Sequence, residues 1–546
     1  MTSVPEIIHA ENVQGLVLWG YGRLPLATYS LRRIDDPGEF RRWLESRIPS
    51  ITTADHRRSP TGEAFNIAFT AHALRTLLSE RPSLRDRGFS DEFRVGMASR
   101  ARALGDTGAG ACENWEWRDG PAAGEGGGEG RVDVLLAYYW SEPDPIDPNP
   151  VVPPQWASAP WDPAHPVREG GMVEVGRSHT ETMRTEDGRV KEHFGFTDGL
   201  GNPAIRGWSR GAQGPPEKGN EVEPGEFILG YPDQDEVNLF GLDFMRMRGR
   251  FDRTDEAHRP VDQFLRDGSY LVARKLEQDV PAFLQFAWSN AGGEFQNPQA
   301  HAQEVVTIAS KMVGRWPNGA PVSIARYFHD MKGFATTSVR HLDDFDYAAD
   351  AGGIGCPFGA HVRRVHPRDT VFDHSPQSPA QRRDLVNRRR LLRRGRTYGT
   401  NPFEEGTLTA LLFPNGVESD PLAGSDFRNR LSDMGSHGRG LFFLGFNADI
   451  SRQFEHVQRT WINNPFFGGL QEDPDPITGP GPLPPSNAAS MTIPTVQGPR
   501  RLQKLSRFVT TKAGAYFFMP GIESLRTLAG MNASGSERPT AARSRG

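Results

Sequence analysis

GFTDGLGNPAI (195–205) sets one carboxylate, Asp198, among glycines in a short apolar stretch that follows a polar loop and precedes a Pro/Gly-rich one. Glycines flanking an aspartate commonly mark a tight turn, in which the aspartate side chain accepts backbone N–H groups. Whether this stretch is only a turn or also a site depends on what the rest of the chain brings to it.

At 546 residues the chain exceeds what one ordinary core organises, so two domains with added loops are expected. Hydrophobic residues make up 36% and charged residues 24%, the composition of a packed soluble protein. A net charge of −5 is small for this size and gives no reason to expect a nucleic-acid partner. Two cysteines, Cys112 and Cys356, are far too few for a disulfide scaffold and are expected as free thiols. The N-terminus lacks a basic segment followed by an apolar core, and no run approaches the ~18 apolar residues of a membrane span. A cytoplasmic location with no membrane partner is the resulting expectation, with extracellular export by an unrecognised route as the alternative.

Hydrophobic periodicity outlines the elements. GLVLWGYGRLPLATYSLRRI (15–34) reads as a strand, a Gly/Pro break and a second extended piece, and PGEFRRWLESRI (37–48) has helical spacing. VDVLLAYYW (132–140) reads as a buried strand after the flexible GPAAGEGGGEG (120–130), and the proline-rich stretch 141–166 as loop. A second strand-then-helix unit starts at GSYLVARKLEQDVPAFLQFAW (268–288), which places the change of domain near 255–267. GLFFLGFNADI (440–450) reads as a strand leading into an amphipathic helix with Ile450, Phe454, Val457 and Trp461 on one face, and AYFFMPGI (515–522) as the last core strand. Small, polar and basic residues after about Met531 predict a frayed tail. Loosely alternating strands and helices suggest α+β sheets with helices on one face.

Among the fifteen histidines, GCPFGAHVRRVHPRD (355–369) stands out. His361 follows a small apolar turn and precedes arginines, so its ring could sit between a closed pocket and a charged rim; a hydrogen-bonded core histidine is the plain alternative, and His366 is a rival. Cys356 and His361 lack the second pair that a structural zinc site needs. GLG (199–201) lacks the strand, helix and downstream acid of a dinucleotide fingerprint, and no G-x-S-x-G elbow occurs. DLVNRRRLLRRGRTYG (384–399) reads plainly as a solvated basic helix ending at Gly395. Alternatively Arg393, beside the apolar pair, turns inward and requires an anionic partner, either Asp198 or a bound anion.

GFTDG (195–199) resembles the GxxDG signature of the dye-decolourising peroxidases, and further blocks resemble the long-chain class of that family in chain order: ENVQGLVLWGYGRLP (11–25), KMVGRWPNGAPV (311–322), GCPFGAHVRRVHPRD (355–369), LLRRGRTYG (391–399), LFFLGFNADISRQFEHVQRTWIN (441–463) and RFVTTKAGAYFFMPGI (507–522). The resemblance implies an α+β protein of two ferredoxin-like domains with antiparallel sheets, of the dimeric α+β barrel superfamily, at 1–262 and 263–530 with a disordered tail at 531–546. It implies a haem b pocket mainly in the C-terminal domain. It further implies that the protein reduces hydrogen peroxide through a ferryl intermediate and oxidises aromatic or phenolic substrates such as dyes. His361 falls on the proximal iron ligand, Asp198 on the distal acid–base, Arg393 on the distal arginine, Asp449 on the acid that accepts the ring N–H of the proximal histidine, and Arg368 on an arginine approaching a haem propionate. A haem-binding or iron-releasing protein without strong peroxidase turnover is the alternative, and self-association into a homo-oligomer stays open.

Taken by itself, Asp449 reads as the N-cap of the helix that follows it. His366 stands where many members of the family have asparagine, and Gly395 where several have a polar side chain. Because bulky substrates cannot reach a buried haem, a surface aromatic would have to relay electrons, for which Tyr398, Trp461 and Trp316 are guesses.

Overall fold

The computed structural model describes residues 8–531 apart from 56–61, 87, 121–129, 143–152, 160, 186–187, 209–219, 236–258, 293–296, 335–336, 338–340, 371–377, 404–407, 414–420, 423 and 482–488. The expected tail and most of the glycine-rich loop therefore lie outside the described residues.

Ten strands form one antiparallel sheet: β1 (Leu26–Ile34), β2 (Glu63–Phe69), β3 (Val134–Trp140), β4 (Arg168–Glu169), β5 (Met172–Glu181), β6 (Ser269–Gln278), β7 (Leu392–Arg393), β8 (Arg396–Tyr398), β9 (Gly440–Asn447) and β10 (Val509–Met519). Their order is β8-β9-β6-β10-β2-β3-β1-β5-β4, with β7 also on β9. The same plan occurs twice. In the N-terminal half the spatial order β5-β1-β3-β2 places the fourth main strand beside the first and the third beside the second. In the C-terminal half β10-β6-β9-β8 repeats this, which is the ferredoxin-like order in both. The halves join where Phe518 of β10 pairs with Phe69 of β2.

The far ends of this sheet curl toward each other. Thr397 Oγ1 on β8 donates to Glu181 O on β5 at 2.7 Å, and Arg396 donates to Tyr21 O at 2.9 Å. The closed interior is filled by side chains spaced two apart: Tyr29 and Leu31, Ala137 and Tyr139, Leu271 and Ala273, Phe442, Leu444 and Phe446, Ala515 and Phe517. Tyr29 stacks on Phe442 across this core, with ring centroids 4.3 Å apart. On the C-terminal half the alternate residues, Arg274, Leu276 and Gln278 on β6 and Leu441 and Phe443 on β9, face outward and line a cavity. One alternation in β9 thus serves the core and the site together.

Helices cover the outer faces. α1 (Pro37–Arg47) starts where Asp36 accepts Gly38 N and Glu39 N, has Pro37 in its first turn, and buries Phe40 and Leu44. α2 (Val280–Asn290) is capped by Asp279, which accepts Ala282 N at 3.0 Å. α3 (Pro298–Val313) ends at Gly314, whose φ of +99° requires glycine, and a Cβ there would press on Val362 at 3.1 Å. Close packing at that point sets α3 directly under the His361 turn. Among the described residues no helix is long and apolar enough to cross a membrane, and both cysteines are free.

Several sequence expectations are corrected. Gly15–Leu18 is a short helix rather than a strand, because its backbone is tied by Trp19 N to Gly15 O and its four residues are all buried between other elements. Gln155–Ser158 is a helical turn within the proline-rich stretch, and Arg259–Leu265 is a helix within the expected interdomain run. The arginine-rich stretch is helical only over Pro379–Asn387, after which β7 and β8 join the sheet. The amphipathic segment after β9 winds as π-helix at Ser451–Glu455 and Val457–Ile462, and it buries Phe454, Val457 and Trp461 as expected.

Phe442→Ala removes a fully buried ring from the closed core and should cost about 3–5 kcal/mol; a large fall in the urea midpoint followed by circular dichroism is the expected result.

Candidate active site

A cavity of about 350 Å³ opens between the outer face of β6 and β9, the 192–202 loop, the His361 turn and the π-helical segment. Asp198, His361, His366, Arg368 and Arg393 all line it. Asp449 does not.

The loop carrying Asp198 is closed by a hairpin-like set of bonds. Asp198 N donates to Val190 O at 2.8 Å, and Gly195 N to Glu192 O at 2.9 Å. Gly195 has φ +90° and Gly199 φ +75°, so both flanking glycines occupy backbone conformations that L side chains resist. The glycine-framed turn is therefore present and sets Asp198 at the cavity, but among the described residues the aspartate does not cap backbone N–H groups as the turn reading expects. The Asp198 carboxylate is half-buried and takes no hydrogen bond from the protein among the described residues.

Glu192, unnoticed in the sequence, is the carboxylate that shapes this loop: it accepts Phe194 N at 2.9 Å, Phe196 N at 3.0 Å and Gln278 Nε2 at 2.8 Å. Burial pushes it up to about 7 despite those three donors. Its only sequence signal is an acid two residues before an apolar turn, which is too common to single out.

Arg393 does not pair with Asp198. Its guanidinium donates to Leu200 O and its backbone N–H to Asn202 Oδ1 at 3.0 Å, so it grips the loop just beyond Asp198. β7 holds it at the cavity wall, because Gly395 lies against β9: a Cβ there would meet Phe442 O at 2.7 Å, which excludes any side chain.

α4 (His361–Val365) follows the CPFGA turn, and the two arginines after His361 are buried tethers rather than a charged rim. Arg363 donates to Cys356 O at 2.7 Å, and Arg364 to Trp461 O at 2.7 Å, Asn464 O at 2.9 Å and Asp473 O. Arg364 therefore brings the 461–475 segment against the histidine. His361 Nδ1 bonds Asp475 Oδ2 at 3.0 Å.

This corrects the expectation for Asp449. That carboxylate accepts Arg452 N at 2.8 Å, the N-cap reading taken from the sequence alone, and has no contact with His361. Asp475 lies in DPDPITG, where its other oxygen accepts Ile477 N and Thr478 N, an ordinary Asx turn by sequence; nothing local ties it to a histidine 114 positions away. With Nδ1 donating to Asp475, the Nε2 lone pair of His361 has no protein partner among the described residues.

His366, the rival, has its Nε2 already engaged. Its Nε2 accepts from Arg390 Nη1 at 2.9 Å, and burial, reinforced by Arg390, Arg368 and Arg393, holds it neutral, well below the ordinary histidine range.

Seven arginines and four carboxylates line the cavity, which leaves it suited to an anionic ligand. Arg315 Nη2 donates to Asp343 Oδ1 at 2.8 Å, and Arg368 bonds the same carboxylate while stacking on Phe345 at 3.8 Å. Arg368 also has φ +54°, and its buried Nε lacks a partner. Arg390 donates to Gly201 O at 2.7 Å and to Asn220 Oδ1 at 2.9 Å, and neither it nor Arg393 meets a carboxylate among the described residues.

The guessed relay residues are not at the surface. Trp316 is wholly buried with Nε1 donating to Ala325 O at 2.7 Å, and Trp461 and Tyr398 are buried as well.

No family profile matches the chain. It is 28% identical over 543 residues to Peroxidase 2 of Mycetinis scorodonius, covering 95% of this chain and 87% of that protein. It is 25% identical over 545 residues to a dye-decolorizing peroxidase of Auricularia auricula-judae, covering 95% and 86%. Its fold is similar to that of an ancestral D-type dye decolorizing peroxidase, with TM-score 0.66, 24% identity, and coverage of 96% of this chain and 99% of that one. A dye-decolorizing peroxidase in complex with 2,6-dimethoxyphenol superposes with TM-score 0.67 at 21% identity over 96% and 100% of the two chains.

Burial raises the proton affinity of Asp475, but His361 and then Arg364 lower it further, and the net is below the usual carboxylate range. A carboxyl lowered in the fold stabilises it fully above its unfolded value, and the contribution disappears as pH falls through the folded one. Asp475→Asn should therefore lower stability by about 1–3 kcal/mol at neutral pH, with the deficit closing below about pH 4; thermal melts of both proteins across pH check it.

Proposed function

We propose that the chain is a dye-decolourising peroxidase, that its cavity holds haem b with His361 as iron ligand, and that it reduces hydrogen peroxide while oxidising phenols or dyes. The observation that carries this reading is the pairing of His361 with a buried carboxylate beside a cavity rich in guanidinium groups. The residues suit the group. A neutral imidazole with its second nitrogen donating to Asp475 offers Nε2 as a basic ligand, and Arg368, with an unpartnered buried Nε, and Arg390, without a carboxylate partner among the described residues, match the two propionates of a haem.

Bound there, haem supplies the redox chemistry that splits the O–O bond of peroxide. The chain supplies protons and orientation. Asp198 takes the proton from one peroxide oxygen and returns it to the other, directly or through one water, and its lack of protein hydrogen bonds leaves both oxygens available. Arg393 carries a fixed positive charge at the same wall and holds the loop through Leu200 O. Asp475 keeps the His361 ring oriented and electron-rich. Phe443, Phe454, Val457 and Ile462 form the apolar wall that excludes bulk water.

The purified protein should show the intense blue absorption band of a histidine-ligated haem, and His361→Ala should lose that band or shift it, whereas His366→Ala should not. Asp198→Ala should retain the band and lose about 10²–10⁴-fold in the rate of peroxide reduction. Loss of the ligand in His366→Ala, or full peroxide turnover in Asp198→Ala, would overturn the assignment.

A further inference from the structure

Peroxidase chemistry places a strong one-electron oxidant in the cavity, so the aromatic groups one layer behind its wall matter. Phe454 lines the cavity, and its neighbour Glu455 points the other way. The ring of Tyr516 on β10, which is fully buried, meets Phe454 edge to face with centroids 6.1 Å apart and planes at 78°. The Tyr516 hydroxyl donates to Glu455 Oε1 at 2.9 Å. Glu455 is itself buried, its side chain 1% exposed, and is gripped by Arg100 through Nε and Nη2.

The other tyrosines lack this combination. Tyr29 and Tyr139 share a hydroxyl–hydroxyl bond of 3.0 Å beside Arg396, whose guanidinium opposes a second positive charge, and no carboxylate accepts from them. Tyr231 donates to Asp267 and Tyr138 to Glu63, but the rings they touch, those of His9, Trp140 and Trp156, do not line the cavity. Only Tyr516, among the described residues, joins a buried carboxylate on one side to a cavity-wall ring on the other.

A phenol that loses an electron becomes a strong acid, so oxidation in a buried site is feasible when the proton has a base already within hydrogen-bond reach. Without one, the site would have to hold an uncompensated positive charge away from water. We propose that Tyr516 is an internal electron donor of this enzyme. Its phenolic O–H bond breaks, the proton moves along the existing bond to Glu455 Oε1, and one electron passes through Phe454 to the cofactor that peroxide has oxidised. The products are a neutral Tyr516 phenoxyl radical, a protonated Glu455 and a cofactor reduced by one electron. Arg274, whose guanidinium lies 5.9 Å over the Phe454 ring, discourages charge from resting on Phe454, so that ring bridges rather than stores the hole. Arg100 and Arg459 hold the Glu455 carboxylate in place beside the Tyr516 hydroxyl.

This inference rests on the peroxidase reading, and the test separates the two. Wild-type holoenzyme carrying ring-deuterated tyrosine is mixed with hydrogen peroxide without a reducing substrate, frozen and examined by electron paramagnetic resonance, while the haem band is followed in parallel. A tyrosyl signal narrowed by deuteration is expected, and it should be lost in Tyr516→Phe, which keeps the ring and its packing. Undiminished signal in Tyr516→Phe overturns the proposal, as does a haem band that responds normally to peroxide in wild type with no tyrosyl signal. A wild-type haem band indifferent to peroxide overturns the peroxidase reading and this proposal with it. Glu455→Gln gives a readout independent of turnover: ultraviolet resonance Raman of the resting protein should show the hydrogen-bond-sensitive phenol mode of one tyrosine shifted relative to wild type, and an unchanged spectrum counts against the carboxylate as acceptor.

Discussion

A buried carboxylate must find a donor, and in this protein Asp475 finds His361. Much of the site follows from that bond. It commits Nδ1, leaves Nε2 free, and requires the 461–475 segment to lie against the short helix that carries the histidine. Arg364 enforces the approach by donating to backbone oxygens at Trp461, Asn464 and Asp473. Without those bonds the segment would have no reason to stand beside a turn more than a hundred residues earlier in the chain.

The second organising feature is the double use of one sheet. Closure of the ten strands buries Tyr29, Phe442 and their neighbours inside, and strict alternation then forces Leu441 and Phe443 outward as cavity wall. Stability and site geometry are coupled through the same strand. Gly395 shows how tight the coupling is: β7 can press Arg393 against the cavity only because no side chain intervenes between it and β9. The cavity itself is a region of concentrated positive charge, where Asp343 is shared by Arg315 and Arg368 while Arg390 and Arg393 depend on carbonyl oxygens. An anionic ligand relieves that concentration, whereas a neutral one would not.

Single residues show which parts of this were legible beforehand. Asp198, His361, Arg368 and Arg393 were found because their motifs are local: each short block carries its own glycine, proline or arginine pattern, and the structure brings all four to one cavity. Asp449 misled because two constraints compete at the start of a helix. Family resemblance favoured a histidine partner, while the local chemistry of an N-cap, which the structure realises with Arg452 N, needs only three residues to be satisfied. Glu192 and Asp475 escaped notice because a buried acid leaves no mark on a linear pattern until its distant donors are known.

The amino-acid sequence by itself determined the period-two strands, the capped helices and the glycine-framed turn at Asp198, all of which arise from contacts within a few residues. Tertiary structure alone decided which acid serves His361, that His366 is held neutral by burial with its Nε2 accepting from Arg390, that the paired arginines after His361 are internal ties, and that Tyr516 stands between Glu455 and Phe454. The physical reason is range. Propensity and capping act along the chain, but a buried charge is satisfied by whichever partner the packing delivers, and that partner has no address in the neighbouring sequence.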